Sequence, residues 1–95
     1  MEQIMELVTQ HAAVRMQQRG IDPEILHCLL TWGREQHDHR GARIVYFDKH
    51  ARSQLERGFG REKYKALQPH LSTYAVISGD GNIVTVGHRL RRIRR

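Results

Sequence analysis

At 95 residues, with 39% hydrophobic and 27% charged content, the chain is sized for one soluble domain with a modest core. Sixteen Lys/Arg against ten Asp/Glu give a net charge of +6; five of those arginines (Arg89, Arg91, Arg92, Arg94 and Arg95) fall in the last seven residues, which leaves the rest at +1. No apolar run reaches the roughly 20 residues of a membrane helix, and the lone Cys28 excludes an internal disulfide framework and a multi-cysteine zinc site.

The opening "MEQIMELVTQ" has no basic start and no long apolar stretch, which argues against a secretory signal and for a cytoplasmic protein. Its "QIMELV" either extends the next helix or leads into it as a short extended piece. Thr9 is placed to cap a helix over 10–19, and Gly20 to end it. In "DPEILHCLLTWG" Asp22 is a cap, Pro23 suits the first helical position and Gly33 is the stop. Ile25, Leu29 and Trp32 share one face of that helix, so it is expected to be mostly buried, with Cys28 as a small core residue and His27 on the polar side. The polar run "REQHDHRGA" (34–42) reads as a loop, and "RIVYFD" (43–48) as a strand covered on both faces.

Asp48 is positioned to cap a helix reaching Arg57, and "REKYKAL" forms another before Pro69. The end reads as a hairpin in which "STYAVIS" and "NIVTVGH" flank an Asp80-Gly81 turn. With that turn, Val76 faces Thr85 and Ser78 faces Ile83; Ala75, Ile77, Val84 and Val86 then point to the core, and Tyr74, Val76, Thr85 and Arg89 to the other side. The expectation is one α+β domain over 1–95: two N-terminal helices packed on a small antiparallel sheet, with a basic C-terminal tail at 89–95.

Two groups of residues point to chemistry. In the first helix His11, Arg15 and Arg19 recur at four-residue spacing and sweep only about 80° of its surface. They border Ala12 and Met16, on the side expected to face the core. The bland reading is a solvated helix face. At the end of the last strand stand Thr85, His88, Arg89 and Arg91. Metal-independent cleavage of RNA needs a proton taken from the 2′-OH, one given to the leaving 5′-oxygen, and stabilisation of charge on the phosphate. Histidine serves the first two needs and arginine the third. The arginine-rich tail (Arg89, Arg91, Arg92, Arg94, Arg95) suits a polyanion, nucleic acid ahead of an anionic membrane surface or an acidic protein, and Tyr74 is placed to stack a base. The "HDH" at 37–39 lacks a third ligand at a recognisable spacing, so no metal is expected. No phosphate-binding or dinucleotide glycine motif is present, so no nucleotide cofactor is expected either.

The motif T-x-H-A-x-x-R-M-x-x-R-G-I (Thr9, His11, Ala12, Arg15, Met16, Arg19, Gly20, Ile21) resembles the first helix of a family of small bacterial domains grouped with the RelE/ParE-like toxins, within the wider barnase–EndoU–colicin–RelE fold. The order of elements agrees, with a last strand reading "IVTVGHR". The resemblance implies a metal-independent endoribonuclease, often the toxin of a toxin–antitoxin pair. His11, Arg15, Arg19 and Thr85, joined by His88, are the implied active-site positions. RNA, in some members ribosome-associated, and an acidic antitoxin protein are the implied partners. The motif covers about an eighth of the chain. The segment 49–70 is longer and more charged than the pattern suggests, and is placed to cover or reshape the cleft. Two other readings stay open: a non-catalytic nucleic-acid-binding or regulatory module, and a ParE-like inhibitor of gyrase.

Overall fold

A computed structural model describes residues 2–38 and 40–89. The elements follow in the order α1 (Glu2–Glu6), α2 (Gln10–Arg19), α3 (Pro23–Trp32), β1 (Arg34–His37), β2 (Arg43–Tyr46), α4 (Lys49–Phe59), α5 (Arg61–Leu67), a 3-10 turn (Gln68–His70), β3 (Thr73–Ile77) and β4 (Ile83–His88). The strands form one antiparallel sheet in the order β1-β2-β3-β4. The class is therefore α+β, but helices also lie between β2 and β3, so the layout is not simply two helices followed by a sheet. No helix among the described residues is long and apolar enough to cross a membrane.

One face of the sheet meets the helices. Val45, Ala75, Ile77, Ile83 and Val86 are buried there against Ala12 and Met16 of α2, Ile25, Leu26, Cys28 and Leu29 of α3, and Ala51 and Leu55 of α4. Alternation along the strands puts Tyr46, Tyr74, Val76 and Thr85 on the opposite face. Trp32 leaves the end of α3 to meet Phe59 edge-on, with ring centroids 6.1 Å apart.

Local signals explain most boundaries. Thr9 accepts a hydrogen bond from the Ala12 N–H (3.2 Å), which caps α2. Gly20, at φ +66°, ends α2: its N–H donates to the Gln17 carbonyl and the Ile21 N–H to that of Met16. Asp48 caps α4 by accepting from the Ala51 N–H at 2.8 Å. Asp22 sits at the α3 N-cap but makes no side-chain capping bond.

Two expectations are corrected. The run 34–42 is not all loop, because Arg34–His37 pairs along its length with β2. It is an edge strand, and charged side chains are what an edge strand tolerates, so its polarity disguised it. The connection to β2 is closed by Asp38, whose Oδ1 accepts from the N–H groups of Arg40 (2.8 Å) and Ala42 (3.0 Å). In the final hairpin Val76 does pair with Thr85, but a bulge then shifts the register so that Ile77 pairs with Ile83. Ile83 (1% exposed) therefore takes the core position expected of Val84, which is only half-buried. Ser78 does not face Ile83. Its N–H donates to the Asn82 carbonyl instead (2.8 Å), and its hydroxyl donates to the Asp80 carboxylate.

Candidate functional site

Helix α2 is tied to β4 at both ends. At its start the Thr9 N–H donates to the Ile83 carbonyl (3.0 Å) and the Ile83 N–H to the Leu7 carbonyl (2.7 Å), a short parallel bridge through Val8. At its end His88 Nε2 lies 3.3 Å from the Arg19 carbonyl oxygen. The helix therefore runs beside β4 in the same direction. Burial of Ala12 and Met16 fixes its rotation and leaves His11, Arg15 and Arg19 as one exposed stripe. Among the described residues no hydrogen bond or ion pair engages these three side chains.

The geometry sets distances within this stripe. His11 and Arg15 are one turn apart, as are Arg15 and Arg19, so neighbouring side chains start about 5–6 Å apart. His11 and Arg19 are eight residues apart, about 12 Å along the axis. His88 sits at the Arg19 end, so it does not share a position with His11. Two groups serving the two oxygens of one phosphate must each come within about 3 Å of their oxygen, and the His88 ring is instead held at the Arg19 end of the helix.

His88 is held at both ring nitrogens. Nδ1 is 3.1 Å from Ser72 Oγ and Nε2 is 3.3 Å from the Arg19 carbonyl. A carbonyl only accepts, so the hydrogen bond to Arg19 requires the proton on Nε2. In the neutral ring Nδ1 then accepts from the Ser72 hydroxyl. The histidine therefore latches the C-terminus of α2 to the start of β3, and the orphan carbonyl at a helix end gains a donor.

Around the same end of the sheet lies a set of cations. The Arg89 N–H donates to the Ser72 carbonyl (2.9 Å). Its side chain crosses the sheet end: Nη2 donates to the Phe47 carbonyl (2.8 Å), and the guanidinium carbon sits 5.3 Å from the centre of the Tyr46 ring. Arg52 Nη2 donates to the Leu71 carbonyl (3.3 Å). Arg34 Nη1 pairs at 3.4 Å with Asp48, whose side chain is only 5% exposed. Arg34, Arg52 and Ser72 had no signal in the sequence. Their partners lie 14 to 19 positions away, and each bond forms only when β2, α4, β3 and β4 end at one place.

The other expected positions separate from this group. Thr85 lies mid-strand opposite Val76, half-buried, on the face away from His88. Among the described residues nothing bonds its hydroxyl. Tyr74 is half-buried on that same face, with its ring across Gly87; a Cβ there would come 3.4 Å from Tyr74 Cε1. Arg91, Arg92, Arg94 and Arg95 lie outside the described residues.

Cys28 is buried, and burial raises its thiol pKa above the ordinary 9.0, with Glu24 adding to the effect. It lines a narrow apolar crevice with Phe47, Leu67 and His70. The Asp80 carboxyl is pulled below its usual range by the Ser78 hydroxyl and the Asn82 N–H. Among the described residues no cluster of His, Cys, Asp or Glu is arranged to hold a metal ion. No family model, curated protein or solved structure matches the chain.

Proposed function

We propose that this domain binds RNA and cleaves it without a metal, in the manner of the RelE/ParE-like toxins that its opening helix resembles. The observation that supports this most is the unpaired stripe His11–Arg15–Arg19, carried on a helix held at both ends by β4. Arg15 is the centre of the proposed site. A phosphate on its guanidinium has His11 one turn to one side and Arg19 one turn to the other.

In this scheme His11 takes the proton from the 2′-OH. The 2′-oxygen attacks phosphorus, and Arg15 and Arg19 stabilise the added negative charge. The bond to the 5′-oxygen breaks, and that oxygen takes up a proton from water. The products are a 2′,3′-cyclic phosphate and a 5′-hydroxyl. His88 is a positioning residue here: it fixes the helix end that carries Arg19 and does not reach the reacting phosphate. Arg89 holds the sheet end together, and the arginines at 91, 92, 94 and 95 attract the polyanion. Tyr74 and Thr85 are assigned to the RNA away from the cleaved bond. An acidic antitoxin protein is the proposed partner. The test is to incubate the purified chain with single-stranded RNA in excess EDTA and to identify the product ends. Cyclic phosphate supports the scheme, and intact RNA counts against it.

A second reading, a non-catalytic RNA-binding module, is favoured by one specific observation. Both His88 nitrogens are engaged, so among the described residues this histidine is not free to serve the leaving group. Salt-sensitive RNA binding without cleavage would select this reading. The ParE-like alternative, inhibition of gyrase, draws only on the suggested family and would show itself as DNA damage with RNA intact.

A further inference from the structure

Outside the tail the chain is close to neutral on average, yet its charges are separated. Positions 1–48 carry five Lys/Arg against seven Asp/Glu, a net −2, whereas 49–67 carry six Lys/Arg against two glutamates, a net +4. The fold makes the second block into a surface. Ala51 and Leu55 set the inner side of α4, so Lys49, Ser53 and Arg57, at four-residue steps, share the exposed side. In α5 Tyr64 and Leu67 pack on the core, and Arg61 and Lys65 stand one turn apart in solvent, with Lys63 also exposed.

This surface differs from an ordinary solvated helix face. Such faces balance both signs, whereas here six Lys/Arg stand against two exposed glutamates, Glu56 and Glu62, with Glu56 on the Lys49 side of α4. The ion pairs Arg34–Asp48 and Arg43–Glu35 do not draw on the α4–α5 cations. Arg61 and Lys65, like charges at i,i+4, weaken α5 on their own. A polyanion lying across them would reverse that effect.

The position connects with the proposed site. Arg52 of α4 holds the Leu71 carbonyl, and the next residue, Ser72, holds His88, which holds Arg19. At the start of α4, Lys49 follows Phe47 and Asp48, and the Phe47 carbonyl takes the Arg89 guanidinium. The basic helices therefore rise from the same end of the sheet at which α2 ends.

We infer that the exposed face of α4 and α5, built on Lys49, Arg57, Arg61 and Lys65, is a second RNA-backbone contact surface that continues the phosphate track begun by Arg15 and Arg19. The inference rests on the RNA-binding part of the proposed function and not on cleavage. RNA is favoured over an acidic protein because these cations are spread along two helices rather than gathered around an apolar centre, as suits a regularly charged strand.

The test compares full-length wild type, a Lys49→Gln/Arg57→Gln/Arg61→Gln/Lys65→Gln variant and an Arg15→Gln/Arg19→Gln variant. Glutamine matches lysine and arginine in helix propensity, so the fold is expected to survive, and circular dichroism checks this. Affinity for a single-stranded RNA is measured by fluorescence anisotropy across a range of salt. Each lost phosphate contact flattens the log–log salt slope by about 0.7 for single strands, so the fourfold variant is expected to lose about 2 to 3 and the α2 variant about 1.4. A wild-type slope in the fourfold variant, with the α2 variant weakened, overturns the second surface and leaves the first site standing. An unchanged RNA slope with lost binding to polyglutamate assigns the face to an acidic protein and also overturns it. A wild-type chain with no salt-dependent RNA affinity overturns the RNA reading itself. Binding lost in the fourfold variant while the wild type fails to cut RNA supports the surface and removes the enzyme. Should the fourfold variant misfold, the Arg61→Gln/Lys65→Gln pair, expected to lose about 1.4 of slope, decides by the same criteria.

Discussion

His88 Nε2 is 3.3 Å from the carbonyl oxygen of Arg19, 69 residues away in sequence, and Ser72 holds the other ring nitrogen at 3.1 Å. The end of α2 is thus fixed to the sheet by one imidazole. Ser72→Ala is expected to cost about 1 kcal/mol of stability and His88→Ala somewhat more. Because the two residues share one bond, their effects should not add. Urea unfolding of both single variants and the double measures this. Nitrogen-15 shifts of the imidazole should show the neutral ring protonated at Nε2; a ring protonated at Nδ1 would break the latch as described.

Arg89 is joined to Phe47 by a hydrogen bond and to Tyr46 by stacking. Lysine keeps the charge but loses the planar fork and the ring contact. Arg89→Lys should therefore lower stability by about 1–2 kcal/mol in denaturant unfolding. An unchanged midpoint would mean that the guanidinium is not a strut at the sheet end.

Thr73, paired with His88 across the sheet, is fully buried, and its hydroxyl has no partner among the described residues. Valine has nearly the same shape without the polar atom. Thr73→Val is expected to raise stability by about 1 kcal/mol, read as a higher melting temperature. A loss of stability would show that the hydroxyl has a bond in solution.

The Cys28 thiol is buried and its pKa is raised, chiefly by burial. Its neutral form favours the fold, so this contribution is complete below the unfolded pKa near 9 and is lost as pH rises through the higher folded value. A thiol reagent at pH 8 should label native protein far more slowly than protein in urea. Equal rates would place Cys28 at the surface.

Much of this fold can be read locally. Thr9, Gly20, Pro23, Gly33 and Asp48 mark helix ends through backbone rules that need no tertiary knowledge. The α2 stripe was legible for the same reason, since four-residue spacing is a property of one helix. What escaped depended on distant partners. The strand Arg34–His37 looked polar because an edge strand borrows its stability from β2. The bulge before Ile83 moved a core position by one residue. Ser72, Arg34 and Arg52 carry no motif, and the balanced charge outside the tail concealed a basic pair of helices behind an acidic first half.

The proposed chemistry comes down to His11. Single-turnover cleavage of a labelled single-stranded RNA in EDTA, wild type against His11→Ala, is the most direct measurement. The expected result is cleavage to 2′,3′-cyclic phosphate by the wild type and a roughly 10²–10⁴-fold slower rate for His11→Ala, with RNA affinity retained. Equal rates for the two proteins, or a wild type that binds RNA and leaves it intact, would contradict it.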